Sequence, residues 1–263
     1  IMNPRTVLSG IANTKNGSND LQSLFGEKVF DFPKPVNLIA YLIRLITGPN
    51  DTVLDFFSGS ATTAHAVFEV NKLDGGNRRF ILVQYPEKLP EDSEAKKQGY
   101  DTICDVGVQR IRLAKKEIED EFDSDSKLDM GFRIFDVDSS NFNDVYYNPR
   151  ALKKDLLDYA ENNIKSDRNG EDLLFQVMIE LGIELSAPIN KSLIAEKEVF
   201  IVDNGYLIAC FDENVTDDTV TELAKKKPTY VVFRDSSLAD DSVAINFDQI
   251  FRAYSPNTKI KVL

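Results

Sequence analysis

The sequence predicts an α/β protein, on three observations. The apolar pair Val53-Leu54 runs into Asp55, two aromatics and a Ser58-Gly59-Ser60 turn, after which residues 61–67 read as the first turns of a helix. Residues 79–84, Arg-Phe-Ile-Leu-Val-Gln, form a second buried strand, launched by Asp74-Gly75-Gly76-Asn77 and ending in Gln84-Tyr85-Pro86-Glu87. Beyond residue 150, strand and helix signals follow one another again, which makes a second, smaller α/β arrangement.

The elements follow in order. Residues 1–20 are rich in Asn, Ser, Gly and Thr, and no element is assigned to them. Phe30-Asp31-Phe32-Pro33-Lys34-Pro35 enters a helix whose buried stripe is Leu38, Ile39, Leu42, Ile43, Leu45 and Ile46, and Gly48-Pro49 closes it. After the two strands comes a long helix over residues 101–122, with apolar Ile103, Val106, Val108, Ile111, Leu113 and Ile118. Its basic group Arg110, Arg112, Lys115 and Lys116 is either a phosphate patch or a solvated face partnered by Glu117, Glu119 and Asp120. The acidic, Ser-bearing residues 119–129 read as a linker and 131–137 as a strand. Helices are expected over 151–164 and 170–181, and a β-hairpin over 199–202 and 206–211, turned at Asn204-Gly205. A helix (217–227), a strand (230–233), a helix (247–252) and a terminal strand (259–263) complete the chain.

The turn after the first strand carries the chemistry. A strand that empties through small residues into a helix N-terminus offers backbone N–H groups at the carboxyl edge of a sheet, where open α/β folds bind nucleotides. Asp55 at the strand end suits a cationic or hydroxylic ligand and would repel a phosphate. Neither the glycine-rich dinucleotide fingerprint nor the phosphate loop with Lys-Ser/Thr is present there. The single histidine, His65, falls in the helix after the loop and reads as a packed residue, not a general base. Asp203, Asp212, Asp235, Asp240 and Asp241 suggest strand-borne carboxylates of a nuclease. No lysine stands at fixed spacing on a neighbouring strand, and loop aspartates commonly form turns and caps.

Phe32-Pro33-Lys34-Pro35, Asp55-Phe56-Phe57-Ser58-Gly59-Ser60-Ala61-Thr62-Thr63 and the strand ending in Gln84 together resemble the cofactor half of S-adenosylmethionine-dependent DNA amino-methyltransferases. The match is to the class whose catalytic half precedes its cofactor half. More narrowly, four phrases are similar to the modification subunits of type III restriction–modification systems. They are Val29-Phe30-Asp31-Phe32-Pro33-Lys34-Pro35, Leu82-Val83-Gln84-Tyr85-Pro86-Glu87, Gly131-Phe132-Arg133-Ile134-Phe135 with Asp138-Ser139-Ser140-Asn141-Phe142, and Val232-Phe233-Arg234-Asp235-Ser236-Ser237. The resemblance spans essentially the whole chain.

It implies a Rossmann-like methyltransferase sheet, incomplete here, followed by a smaller α/β C-terminal domain. Residues 1–28 would be the exit of an upstream target-recognition region, 29–138 the cofactor-binding part and 139–263 a domain for assembly or partner docking. The implied cofactor is S-adenosylmethionine, held by Phe32, Pro33, Lys34, Asp55, Phe56, Phe57, Ser58, Gly59, Ser60, Thr62, Gln84 and Tyr85. Lys34 would meet the carboxylate or is a surface lysine in a Pro-Lys-Pro turn. Asp55 would accept from the methionine ammonium or only completes the turn. Gln84 would bond the ribose hydroxyls, Tyr85 would lie against the adenine, and Phe56 and Phe57 would wall the methyl-transfer cavity or enter the core. Thr62 and Thr63 would touch ligand or cap the helix.

No catalytic residue is assigned, because the Asp-Pro-Pro-Tyr-type tetrapeptide of such enzymes is absent; the nearest string, Tyr146-Tyr147-Asn148-Pro149, lies on the wrong side of the cofactor loop. The chain therefore reads as a fragment that methylates nothing alone. Its whole protein would act as an adenine-N6 methyltransferase on duplex DNA through the missing upstream part, pair with a restriction subunit and form a homodimer. A non-catalytic assembly module is the alternative, and methylation of RNA or of cytosine N4 a third.

Composition agrees. With 263 residues, 42% of them hydrophobic, the chain has material for one large or two modest cores. No apolar run approaches membrane length. Cys104 and Cys210 stand far apart without CxxC spacing, which suggests reduced thiols in the cytoplasm and no metal site. A net charge of −12 repels phosphates, so the chain as it stands is a poor DNA binder.

Overall fold

A computed structural model describes residues 10–121, 128–143, 163–234 and 241–263. The chain divides into two compact units, Ile1–Phe132 and Arg133–Leu263.

The first unit contains α1 (Thr14–Phe25), α2 (Val36–Ile46), β1 (Thr52–Asp55), α3 (Thr62–Asp74), β2 (Arg79–Leu82), the short α4 (Glu94–Lys97) and α5 (Ile103–Glu121). β1 and β2 pair in parallel, Thr52 opposite Arg79 and Asp55 opposite Leu82. α3 is the connection between them and is buried on nearly every side. Val67 and Val70 pack with Val36 and Ile43 of α2, and Phe68 packs with Ile111 and Ile118 of α5. Strand alternation splits the sheet. Val53, Asp55, Phe80 and Leu82 are half-buried against the helices, whereas Leu54, Ile81 and Val83 are more than half exposed on the other face.

Two local caps set this arrangement. Asp74 and Asn71 hold the buried Arg78: its guanidinium donates to Asp74 at 2.9 and 3.0 Å, and the Asn71 amide donates to the Arg78 carbonyl at 2.9 Å. Gly75, at φ +68°, ends α3 in the left-handed region, so the chain can reverse directly into β2.

The second unit contains α6 (Gly170–Glu180), β3 (Ile189–Ile194), β4 (Lys197–Val202), β5 (Leu207–Cys210), α7 (Asp217–Lys225), β6 (Tyr230–Phe233), α8 (Asp241–Tyr254) and β7 (Lys259–Val262). The five strands lie in chain order, β3 to β5 antiparallel and β5 to β7 parallel. Both faces of this sheet are covered. Ile208, Cys210, Val231 and Phe233 meet α7 and α8 through Val220, Leu223, Phe247 and Phe251. Their strand neighbours Leu207, Ala209 and Val232 meet α6 through Leu173, Leu174, Val177 and Met178. α6 starts at a capping box between Asn169 and Asp172.

Several expectations from sequence need correction. The stretch before residue 28, where the sequence assigns no element, holds a helix: Asn13 and Asn16 form a capping box that starts α1, and Asp20 of α1 accepts the Val36 amide at 3.0 Å, capping α2 from outside. Among the described residues of this helix only Gly17 and Leu21 are buried, too sparse a stripe for periodicity to show it. Residues 131–137 do not join a ladder. Their alternation reads as a strand, but Arg133 anchors them by its side chain, donating to the Leu185 and Ala187 carbonyls, while Phe135 packs on Phe175 at 4.8 Å. β3 was not expected; half its residues are polar because it is an edge strand, joined to β4 by Ala195 and Glu196 at φ +47° and +65°. The helix expected over 247–252 is the longer α8, and the expected hairpin is β4–β5 with a short 3₁₀ turn, Asp203–Gly205. Asp212 accepts the Glu198 amide at 2.7 Å, tying the chain after β5 to β4. Most of the helix expected over 151–164, the string 146–149, and Asp235 and Asp240 lie outside the described residues.

Candidate functional site

The strand pairing continues past the end of β1 and fixes the loop that follows. The Val83 amide donates to the Asp55 carbonyl at 2.8 Å, and the Ser58 amide donates to the Val83 carbonyl at 3.3 Å. The loop then closes on itself, Ala61 N to Ser58 O at 2.8 Å, with Gly59 at φ +52° and Ala61 at φ +58°. A left-handed alanine costs about 1–2 kcal/mol, so this turn needs support from its surroundings.

Asp55 sits at the centre of that support. One carboxylate oxygen accepts the Phe57 amide at 3.2 Å and the other accepts the Thr63 hydroxyl at 2.5 Å. Gln84 grips the loop from the neighbouring strand: its side-chain oxygen accepts the Gly59 amide at 2.7 Å, and its side-chain nitrogen donates to the Tyr85 carbonyl at 3.1 Å. The Cys104 thiol, at the start of α5, lies 3.5 Å from the Gln84 carbonyl. Phe30 borders the loop as well, since a Cβ on Gly59 would lie 3.7 Å from its ring.

The structure thus brings Asp55, the loop 56–61 and Gln84 into one hydrogen-bonded group. Phe57 and Tyr85 are 85% and 80% exposed beside it, and Phe56, also exposed, meets Phe57 edge-on at 5.4 Å; neither phenylalanine enters the core. Phe32 and Lys34 are exposed and Pro33 is buried. Ser60 and Thr62 face inward instead. Both are buried, and both accept from the guanidinium of Arg110. Neither Thr62 nor Thr63 caps α3, whose N-cap is Ala61.

Arg110 is the residue that sequence reading misplaced. It belongs neither to a phosphate patch nor to a solvated face, because it is fully buried. A signal existed: Val106, Gly107, Arg110, Ile111, Ala114 and Ile118 make one continuous stripe of α5, with Arg110 at an apolar position. Lys115 does pair on the surface with Glu119, at 3.6 Å. Burial lowers the Arg110 pKa to about 10, which leaves the guanidinium charged at neutral pH.

A hollow of about 540 Å³ opens elsewhere in this unit, lined by Asp20, Asn37, Tyr41, Arg44, His65 and Glu69 among others, and none of the loop residues borders it. His65 there is a packed residue whose pKa burial pulls down to about 3, helped by the Arg110 and Lys72 cations. Burial raises the pKa of Glu69.

Comparison with known proteins places this geometry. Residues 6–95, which hold α1 through β2 and the loop between the strands, match the family model described as DNA methylase. The chain is 41% identical over 125 residues to the Mod subunit of the type III restriction-modification enzyme StyLTI of Salmonella typhimurium, covering 48% of this chain and 19% of that protein. It is 37% identical over 122 residues to the EcoPI Mod subunit of Escherichia phage P1, covering 46% of this chain and 19% of that one. It is also 37% identical over 107 residues to the type II methyltransferase M.KpnI of Klebsiella pneumoniae, covering 41% of this chain and 26% of that protein. The chain therefore matches about a fifth of the length of these type III relatives and a quarter of the type II one. In its strand–loop–helix segment the chain is therefore similar to the DNA methylase family, and over just under half its length it is similar to the Mod subunits of type III restriction-modification enzymes.

Proposed function

We propose that the first unit is the S-adenosylmethionine-binding portion of a DNA adenine-N6 methyltransferase. The observation that carries this reading is the loop held between Asp55 and Gln84 at the carboxyl ends of two parallel strands. Such an edge, in a Rossmann-like sheet, is where a nucleoside is bound.

The residues fit the cofactor chemically. A glutamine side chain has two acceptor lone pairs and two N–H donors. Gly59 and Tyr85 use one of each, so one acceptor and one donor remain for the two ribose hydroxyls. Asp55 keeps lone pairs beyond Phe57 and Thr63 for the methionine ammonium, and its charge balances that of a cationic ligand. The exposed rings of Phe57 and Tyr85 offer flat apolar area to the adenine. When bound, the cofactor supplies the electrophilic methyl group; the chain's own residues bind and orient it. Lys34 would meet the carboxylate end.

The target-binding half would come from another part of the whole protein, so this chain alone methylates nothing. The open face of Leu54, Ile81 and Val83 supports this, as an apolar sheet face suits cover by further elements. Duplex DNA, a restriction subunit and a second modification subunit would be partners of that whole protein, in the cytoplasm. The second unit would serve assembly.

Calorimetric titration with S-adenosylmethionine tests the reading. Saturable binding is expected, weakened by Asp55→Ala, which also unties the loop, and by Asp55→Asn, which keeps the size but removes the charge and one of the two acceptor oxygens that hold Phe57 and Thr63. Absence of heat at millimolar ligand favours a non-catalytic assembly module. Methyl transfer to duplex DNA by the isolated chain would contradict the claim that it is inactive alone.

A further inference from the structure

The underside of the candidate loop is gripped by one cation. Arg110 reaches from α5 and donates through a single terminal nitrogen to the Ser60 carbonyl at 3.3 Å, the Ser60 hydroxyl at 3.0 Å and the Thr62 hydroxyl at 2.6 Å. It is fully buried, makes no ion pair among the described residues, and its other two guanidinium nitrogens have no hydrogen-bond partner there. Gly107, one turn earlier on the same face, lets α5 come this close: a Cβ there would stand 3.4 Å from both the Gly59 carbonyl oxygen and Ala61 Cβ. A buried guanidinium with no carboxylate in ion-pair contact, and Asp20 acting on it only from farther off, is costly, and an apolar side chain would suit the surrounding stripe better. What the charge contacts is the turn carrying Gly59 and Ala61 in left-handed conformations.

We propose that Arg110 is a positioning residue for the cofactor loop, holding Ser60 and Thr62 from below so that the Phe57–Gly59 backbone and the Gln84 amide stand in ligand-binding register. This rests on the cofactor reading given above. Arg110 touches no ligand; it acts through the loop. Because its three bonds converge on one nitrogen, lysine restores part of the grip and methionine none.

The test compares the unaltered chain with Arg110→Lys, Arg110→Met, Thr62→Val and, as a destabilised control on the same helix, Ile118→Ala. Two quantities are read: S-adenosylmethionine affinity by calorimetry, and amide hydrogen exchange of residues 57–61 without ligand. Arg110→Met is expected to weaken affinity tenfold or more and to speed loop exchange at least tenfold. Arg110→Lys and Thr62→Val should fall between it and the unaltered chain. Ile118→Ala should change affinity less than twofold at a comparable loss of melting temperature. Equal affinity losses in Arg110→Met and Ile118→Ala would overturn the positioning role, as would unchanged loop exchange in Thr62→Val and Arg110→Lys should Arg110→Met not fold. If the unaltered chain binds no S-adenosylmethionine, the cofactor reading itself fails, while the exchange data still report whether Arg110 orders the loop.

Discussion

His65 lies in the second turn of α3 with its ring buried and its Nδ1 without a partner among the described residues, and burial drives its pKa from 6.5 down to about 3. The unfolded chain therefore binds a proton between pH 6.5 and about 3 that the folded chain refuses, and stability rises with pH across that window. The contribution is intact above pH 6.5 and is lost progressively as pH falls towards 3. Because this is the only histidine, its imidazole signals can be followed by NMR; they should stay those of the neutral ring at pH 5, and titration near 6.5 would contradict the packing. The two thiols make a second residue-level prediction. Cys210 is buried and burial raises its pKa to about 11, whereas Cys104 is only half-buried beside Gln84. Under native conditions a maleimide should label Cys104 at least tenfold faster than Cys210, and S-adenosylmethionine should slow that labelling. Equal rates would show that the second core opens freely.

At the scale of elements, α1 is tied to the proline-rich entry of α2 more closely than composition suggested. Alanine normally stabilises a helix interior over glycine by about 1 kcal/mol. At Gly17, however, a Cβ would overlap the Pro33 carbonyl and stand 2.9 Å from the Lys34 carbonyl carbon. Gly17→Ala should therefore destabilise, by about 1–3 kcal/mol, and urea unfolding of the first unit measures it. Contacts of this kind explain what the sequence could and could not disclose. β1, the loop, α3 and β2 were legible because dense apolar runs end at small residues or a Gly-rich turn. α1 and β3 were not, since one packs by a bare glycine and a carboxylate cap and the other is a half-polar edge. Within the site, Asp55, Gly59 and Gln84 were legible from their place at the strand ends. Arg110 was not, because basic residues on a helix ordinarily face water, and only its position on the apolar stripe betrayed it.

Over the whole molecule, the two units have separate cores, and their sheets differ in how much of each face is covered. The second unit's sheet is covered on both faces, while the first unit leaves Leu54, Ile81 and Val83 bare. Calorimetric unfolding should accordingly show two transitions, and only one should respond to ligand. At a hundredfold excess over Kd, S-adenosylmethionine should stabilise the first unit by about 2.7 kcal/mol and leave the second unchanged. One concerted transition that shifts as a whole would mean that the units fold together.

The central claim is that Asp55, the 57–59 backbone and Gln84 form a place for a methyl-donating nucleoside. Backbone amide NMR during titration with S-adenosylmethionine tests it most directly. Saturable shifts concentrated at Phe57, Ser58, Gly59, Gln84 and Tyr85, with the second unit unmoved, are the predicted result. Shifts confined to the second unit, or none at millimolar ligand, would contradict it.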